Sequence, residues 1–237
     1  MLSAFLYILL GVCDAFAMLL LVLKLYMMPV LKYRNRIVLF VLFIAVFSYL
    51  IRIVLGVPKF DLPLQYLLFV IFLRFGMGIK LHLGAFISGA GINAYIALQL
   101  AFYFLLNLLG STNTNTLSQN TGSTVFTLQI ITILAAVLIA TLFKLFNLGF
   151  SFIFSPPHDF LIKENYMTKT NKMMISGAVI SLVTISLTLY LLYNLNAIGT
   201  LIMTSITFAV SYYMSDRSDY EDVREAVEAY REKNKRN

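Results

Sequence analysis

The chain has 237 residues, of which 60% are hydrophobic and 12% are charged, and its mean hydropathy is +0.85. These few polar side chains cannot cover the surface of a soluble globule. The composition therefore excludes a soluble domain and predicts an integral membrane protein. The formal net charge of +7 then indicates basic cytoplasmic loops rather than a nucleic-acid partner.

Seven long apolar segments follow one another along the chain. A hydrocarbon core of about 30 Å takes roughly 20 helical residues, and unbroken apolar runs indicate helices rather than barrel strands. We therefore predict an all-α fold, with a polytopic membrane bundle of about seven transmembrane helices in residues 1–214. The first segment lacks a cleavage site and is predicted to be a retained helix. The predicted spans are Leu2–Leu23, Ile37–Leu55, Leu64–Ile79, Leu81–Leu109, Val125–Phe146, Met173–Tyr193 and Ile198–Met214.

The basic residues predict the orientation of these spans. With seven crossings, Lys and Arg concentrate on one side of the membrane, and only Arg52 and Lys59 fall on the other. The positive-inside rule then places the N-terminus outside and the C-terminus in the cytoplasm of a multi-pass cell-membrane protein.

One acidic residue, Asp14, lies in the middle of the first span. A charged side chain at the bilayer centre costs about 3 kcal/mol on insertion scales, so Asp14 is expected to face the bundle. Our hypothesis is that it lines a polar pocket with Asn93 and Gln99. Arg52 and Arg74 are the candidate charge partners, although both lie near predicted helix ends, where their side chains can also reach the headgroups.

The fourth span carries a second cluster of unusual residues. Gly84, Ser88 and Gly91 give it a face of small side chains, which predicts close helix packing, with ligand access as the alternative. Ser88 is also a candidate for the polar pocket. Asn93 and Gln99 can equally hydrogen-bond to neighbouring helices, so their role stays open.

The loops are short or chemically plain. Residues 111–124 form a polar, uncharged connector on the predicted outside, and residues 155–172 form a cytoplasmic connector that begins at a proline pair. An apolar patch at Phe160, Leu161 and Ile162 is predicted to lie on the membrane surface.

The C-terminal residues 215–237 are predicted to form a charged, amphipathic cytoplasmic helix. Ser218 and Glu221 match a capping box, which predicts that a helix starts at Ser218. An apolar stripe at coiled-coil spacing follows and predicts either a partner contact or a solvent-exposed helix. Its members are Tyr213, Tyr220, Val223, Val227 and Tyr230.

No catalytic motif accompanies the chain's few reactive side chains. The two histidines, His82 and His158, belong to no metal-binding or acid–base motif, and Cys13 is the single cysteine. No nucleotide-binding glycine loop is present. We predict a protein that is not an enzyme, with no cofactor and no metal; a membrane hydrolase is the enzymatic alternative.

The order of these features resembles the N-terminal membrane portion of Gram-positive sensor histidine kinases of the accessory-gene-regulator type, which are peptide receptors. The resemblance rests on Arg74 with Lys80, on the segment GAFISGAGINAYIALQ that ends at Gln99, on the polar loop and on the charged exit helix. It implies a module that senses an extracellular peptide and signals through the exit helix. The phosphorylated histidine helix and the ATP-binding domain are missing, so the expectation is either a truncated kinase or a subunit that acts through another protein.

Three functions follow as expectations. The first is a receptor or sensor for an extracellular or membrane-borne ligand, which signals to a cytoplasmic or membrane partner or works as a homodimer. The second is the substrate-binding membrane subunit of a transporter. The third is a structural membrane protein without a ligand.

Overall fold

The computed structural model describes residues 2–111, 121–153, 166–194 and 196–235, and over these ranges it is helical without any β-strand. The prediction of an all-α bundle is therefore confirmed. The seven helices are α1 (Leu2–Leu25), α2 (Arg34–Tyr49), α3 (Asp61–Ile71), α4 (Leu81–Leu108), α5 (Ser123–Phe146), α6 (Lys169–Tyr193) and α7 (Ala197–Lys235).

Six of the described helices are long and apolar enough to cross a membrane, and α3 is the short one. At 1.5 Å per residue, its 11 residues cover about 17 Å, which is less than a hydrocarbon core of about 30 Å. A π-helical turn, Phe72–Gly76, lengthens it. A second π-helical turn, Leu50–Val54, ends α2. The two arginines considered as charge partners of Asp14, Arg52 and Arg74, therefore both lie in π-helical turns.

The α4 helix lies at the centre of the bundle. It packs against α1, α3, α5, α6 and α7. Its middle section is buried on nearly every side, and Phe86, Ile87, Ile92 and Tyr95 are among the largest fully buried side chains. A helix that is apolar all round is suited to this position, because every face meets another helix instead of lipid.

Two glycines of α4 lie where neighbouring helices approach most closely. A Cβ added at Gly89 would come within 2.3 Å of Ser181 Cβ on α6, and one added at Gly91 within 2.1 Å of Val22 Cγ2 on α1. Small side chains allow such backbone approaches in membrane bundles. At Gly84 the nearest side-chain atom, Leu73 Cβ, would be at 3.5 Å, which is an ordinary contact. The closest packing therefore involves Gly89 and Gly91.

Small hydroxyl side chains fill the contact of α7 with α4 and α6. A buried stripe of them runs along α7, and we call it the hydroxyl seam. Its members are Thr200, Thr204, Thr207, Ser211, Ser215 and Ser218. Thr184 on α6 hydrogen-bonds to Thr207 across this contact at 2.9 Å between the hydroxyl oxygens. Others, such as Thr204 and Ser215, donate to carbonyls one turn earlier, which satisfies their hydroxyls without water.

The α7 helix continues through the predicted domain boundary at residues 214 and 215. Its 39 residues span about 58 Å, roughly twice a hydrocarbon core, so about half of the helix extends beyond it. The predicted helix start at Ser218 is wrong, because Ser218 is buried in the middle of α7 and belongs to the hydroxyl seam. The capping box has no capping role here, because the helix already begins at Ala197, upstream of Ser218.

Parts of both predicted loops lie outside the described residues. These parts are residues 112–120 of the polar connector and residues 154–165 of the second connector, including His158 and the patch from Phe160 to Ile162.

Candidate functional site

A polar cavity opens between six helices at the end of the bundle where α4 ends and α5 begins. Its volume is about 150 Å³, enough for roughly five water molecules at about 30 Å³ each. The first half of α1, the ends of α2, α4 and α6, and the starts of α3 and α5 form its walls. The polar lining residues are Tyr7, Asp14, Ser48, Arg52, Gln65, Tyr95, Gln99, Gln129 and Thr188.

Asp61, the first residue of α3, lies behind this lining and joins α2 to α3. Its side chain is fully buried, and its Oδ2 atom accepts hydrogen bonds from Ser48 Oγ at 2.9 Å, from Gln65 Nε2 at 3.0 Å and from Arg52 Nε. The π turn that ends α2 carries Arg52. Because Asp61 is the first residue of α3, the helix dipole also favours a negative charge on its side chain. Among the described residues, Asp61 Oδ1 has no hydrogen-bond partner.

Asp14 joins α1 to α4 in a different way. Its Oδ1 atom accepts a hydrogen bond from the hydroxyl of Tyr95, a side chain that is almost fully buried in α4. Asp14 lines the cavity beside Gln99, so this part of the sequence hypothesis describes the structure. Within the described part of the chain, Asp14 makes no ion pair, because Arg52 is bound to Asp61 instead.

The cavity and the carboxylate behind it therefore carry an uneven charge. Two carboxylates, Asp14 and Asp61, face one guanidinium, Arg52, which leaves a formal charge of −1 when all three are ionised. A buried charge is unfavourable unless an opposite charge or hydrogen bonds compensate it. Asp61 has three donors, one of which is the cation Arg52, whereas Asp14 has one hydroxyl.

The remaining pocket candidates of α4 point elsewhere. Asn93 is fully buried, and its Nδ2 atom donates to the carbonyl of Gly89 on the same helix at 2.9 Å. Ser88 is also fully buried, and its hydroxyl has no partner among the described residues. Neither residue lines the cavity. The sequence hypothesis is thus wrong in grouping Asn93 with Asp14 and Gln99, because Asn93 lies away from the cavity wall.

Arg74 does not lie near Asp14 either. It follows Asp61 by 13 residues along α3 and its π turn, which places the two about 20 Å apart at 1.5 Å per residue. It is absent from the cavity lining. Of the two candidate charge partners, only Arg52 reaches the cavity, and its partner is Asp61.

The opposite end of the bundle fixes α7 through a set of polar contacts that we call the exit clamp. The hydroxyls of Tyr26 on α1 and Ser215 on α7 hydrogen-bond at 3.1 Å. Asp219 accepts from both the backbone nitrogen and the hydroxyl of Ser151, at 2.7 and 2.8 Å. Thr170 at the start of α6 donates to Glu221 at 2.9 Å. The clamp thus joins α1, α6 and the segment after α5 to one region of α7.

The members of the predicted apolar stripe are exposed along α7, from Tyr213 and Tyr220 beside the exit clamp to Val223, Val227 and Tyr230 beyond it. Their exposed fractions lie between 44% for Val227 and 70% for Tyr220, with Val223 and Tyr230 in between. Arg217 and Glu221, and Arg224 and Glu228, form ion pairs one turn apart along the same helix. The stripe therefore has no packing partner within the described chain.

Sequence reasoning missed Asp61, Tyr95 and Gln65. Asp61 precedes the predicted start of the third span at Leu64, whereas it is the buried first residue of α3. A usable signal was present, because Asp61 and Gln65 are spaced four apart, which places them on one face of a helix. No local signal marks Tyr95, whose partner Asp14 is 81 residues away.

Comparisons with protein-family models, with curated proteins and with solved structures found no match to this chain.

Proposed function

We propose that this protein is a membrane sensor whose cavity binds a small polar ligand from outside the cell and whose α7 helix reports binding to a partner in the cytoplasm. One observation carries the proposal. A polar cavity lies at one end of the bundle, and a helix that leaves the bundle is clamped at the other end. The α4 helix contacts both the helices that line the cavity and α7.

The proposed orientation has seven crossings, with the N-terminus outside. In this arrangement α3 crosses with the help of its π turn, and its short length is tolerated because protein surrounds much of it. Tyr66, Phe69 and Leu73 are buried against the bundle. The cavity then opens toward the outside, on the side of Arg52 and Lys59, while the clamp and the remaining Lys and Arg lie in the cytoplasm.

The coupling route follows the interhelical contacts. Asp14 and Tyr95 connect α1 to α4 through Asp14 Oδ1, so a ligand that binds the other oxygen of Asp14 acts directly on this contact. The α4 helix packs on α7 along the hydroxyl seam, and α1 reaches α7 through Tyr26 and Ser215. A ligand moves α7 only by the difference in its affinity for two arrangements of these contacts. The hydrogen bond between Asp14 and Tyr95 is the contact that differs between the two arrangements.

The partner contact is the exposed stripe of Tyr220, Val223, Val227 and Tyr230. Its spacing of three and four residues matches a helix that packs against another helix, either of a separate cytoplasmic protein or of a second copy. This arrangement agrees with the resemblance to the membrane portion of sensor kinases. There the exit helix leads into the signalling domain.

A transporter subunit is the second candidate. Helices interrupted near a polar site are typical of transporters, and the π turn of α2 lies beside the cavity. In a transporter subunit, ligand binding in the cavity is not expected to change the conformation of α7 beyond the exit clamp.

Coupling between the cavity and α7 tests the proposal. Cys13→Ser removes the single cysteine, and Val223→Cys then adds one reporter beyond the clamp. In membrane vesicles with the cytoplasmic face exposed, Asp14→Asn is expected to change the maleimide reaction rate at this reporter about fivefold or more, the usual lower range for coupled sites.

Two controls accompany this measurement. Leu134 is exposed on α5 and absent from the cavity lining, so Leu134→Ala should leave the rate unchanged. A second reporter, Leu145→Cys, is exposed at the end of α5 and should not respond to Asp14→Asn. An unchanged rate at Val223→Cys, with both proteins folded, would contradict the sensor proposal and favour transport.

A further inference from the structure

We infer that the cavity binds a protonated amine, with its ammonium group held by Asp14. The inference names the ligand class of the proposed sensor site and so rests on that proposed function. The ammonium belongs either to a free small amine or to a lysine side chain of a peptide, since both present the same group to the cavity.

The charge around the cavity favours a cation. The side chains in and directly behind the cavity carry one more negative than positive charge, and Arg52 is held by Asp61. Asp14 is left with the Tyr95 hydroxyl on Oδ1, and within the described residues its Oδ2 atom accepts no hydrogen bond. An added cation restores neutrality and supplies the missing donor. An anion would meet a carboxylate and a paired arginine.

The cavity wall also offers several oxygen acceptors for an ammonium group. An ammonium has three N–H donors and needs three acceptors when water is removed. Asp14 supplies one, and the side chains of Gln99, Gln129 and Thr188 place further oxygens in the same wall. These residues come from α4, α5 and α6, so an ammonium bound here contacts α4 and α6, the two helices that pack against α7.

The size of the cavity fits a small amine. A cavity of about 150 Å³ holds a molecule of about six non-hydrogen atoms, as an engineered apolar cavity of that volume binds benzene. A whole peptide does not fit, but a butylammonium-sized chain does. The apolar lining at Met18, Ile44 and Leu100 suits the methylene part of such a chain.

Charge selectivity at the cavity wall tests the inference. In the Cys13→Ser background, Gln99→Cys places a thiol beside Asp14. Purified protein is treated with the cationic reagent 2-aminoethyl methanethiosulfonate and the anionic reagent 2-sulfonatoethyl methanethiosulfonate. The ratio of the two rates is divided by the ratio at Ser111→Cys, an exposed site outside the cavity. We expect the cation to be favoured about tenfold or more.

Three variants locate the source of that preference. Asp14→Asn should remove it, and Asp14→Glu should retain it. Asp61→Asn should also reduce it, because the freed Arg52 then supplies the positive charge of the cavity. If Asp14→Asn fails to fold, the contrast between Asp14→Glu and Asp61→Asn still decides the question. Equal rates of the two reagents, or a preference unchanged by Asp14→Asn and by Asp61→Asn, would overturn the inference.

Protection of Gln99→Cys separates the two sources of the amine. n-Butylammonium should slow the labelling, while n-butanol at the same concentration should not. An acetylated Gly-Lys-Gly amide that protects where acetylated Gly-Leu-Gly amide does not would assign the ammonium to a peptide side chain. Protection by n-butylammonium alone assigns a free amine. If neither amine protects, the ligand class is wrong, whereas a response of Val223→Cys to Asp14→Asn would still support the sensor.

Discussion

The two halves of the bundle are held together by different chemistry. Around the cavity, helices α1 to α4 meet through directional pairs of ionisable groups, Arg52 with Asp61 and Tyr95 with Asp14. Between α4, α6 and α7, the helices meet through glycines and small hydroxyls whose hydrogen bonds are mostly local. Charged pairs can be exchanged for a ligand, while close-packed small residues resist sliding. The comparison predicts a half that responds to a ligand and a half, α4 with α6 and α7, that moves as one rigid unit.

The largest expected effect is the loss of Arg52. Arg52→Gln leaves the carboxylate of Asp61 buried with two neutral donors, so unfolding should become easier by about 3–5 kcal/mol, the usual cost of breaking a buried ion pair. Arg224→Gln removes an exposed pair on α7 and should change stability by less than about 1 kcal/mol. Denaturant titration of the protein in detergent measures both. Equal effects would show that the ion pair does not hold α2 to α3.

A methyl group at Gly89 is the next largest perturbation, and it acts on the rigid half. Gly89→Ala places its Cβ 2.3 Å from Ser181 Cβ, so α4 and α6 must separate, and we expect a loss of about 1–3 kcal/mol. The matched control is Gly84→Ala, where the nearest side-chain atom is at 3.5 Å and a helical alanine should be neutral or stabilising. Thermal unfolding that ranks the two variants in the opposite order would refute the proposed rigid contact.

Tyr95→Phe removes the hydrogen bond from Tyr95 to Asp14 and leaves the shape of the side chain almost unchanged. We expect a loss of about 1 kcal/mol, because Asp14 faces the cavity and water can replace the hydroxyl. Tyr103→Phe is the control, since Tyr103 is buried on the same helix but lies outside the cavity wall. The same unfolding titration applies. If Tyr95→Phe lowers the free energy of unfolding no more than Tyr103→Phe does, the hydrogen bond to Asp14 contributes little to stability.

The smallest effect is expected in the hydroxyl seam. Thr184→Val removes the hydrogen bond to Thr207 and keeps the volume, and comparable interhelical bonds in membranes contribute about 0.6 kcal/mol. Thr141→Val, on an exposed face of α5, should change nothing measurable. A loss above about 2 kcal/mol for Thr184→Val would show that this half also depends on directional pairs, which would remove the contrast between the halves.

The length of the unbroken apolar runs was sufficient to predict most of the helices, although α3 is shorter and α7 longer than predicted. The fourth span was predicted as Leu81–Leu109 and is Leu81–Leu108, since an unbroken apolar run has few alternatives in lipid. The position of Asp14 also followed from the cost of exposing a carboxylate to hydrocarbon. Asp61 could not be predicted in the same way. Its burial depends on the π turn that positions Arg52, and a single inserted residue in a helix leaves no periodic signal.

The pairing of helices was also beyond the sequence. Tyr95 meets Asp14 only because α1 packs beside α4, and nothing local to either segment encodes that neighbour. The same limit explains the wrong helix start at Ser218. Its pattern fits a cap when read alone, but its burial in the hydroxyl seam depends on α7 continuing from the membrane.

The distance between α5 and the exposed part of α7 tests the central claim most directly. Spin labels at Leu145→Cys and Val223→Cys, in the Cys13→Ser background, report this distance by pulsed electron paramagnetic resonance. The account predicts that Asp14→Asn shifts the distance distribution, while the exposed control Leu134→Ala does not. Superimposable distributions for all three folded proteins would contradict the claim that the cavity controls α7.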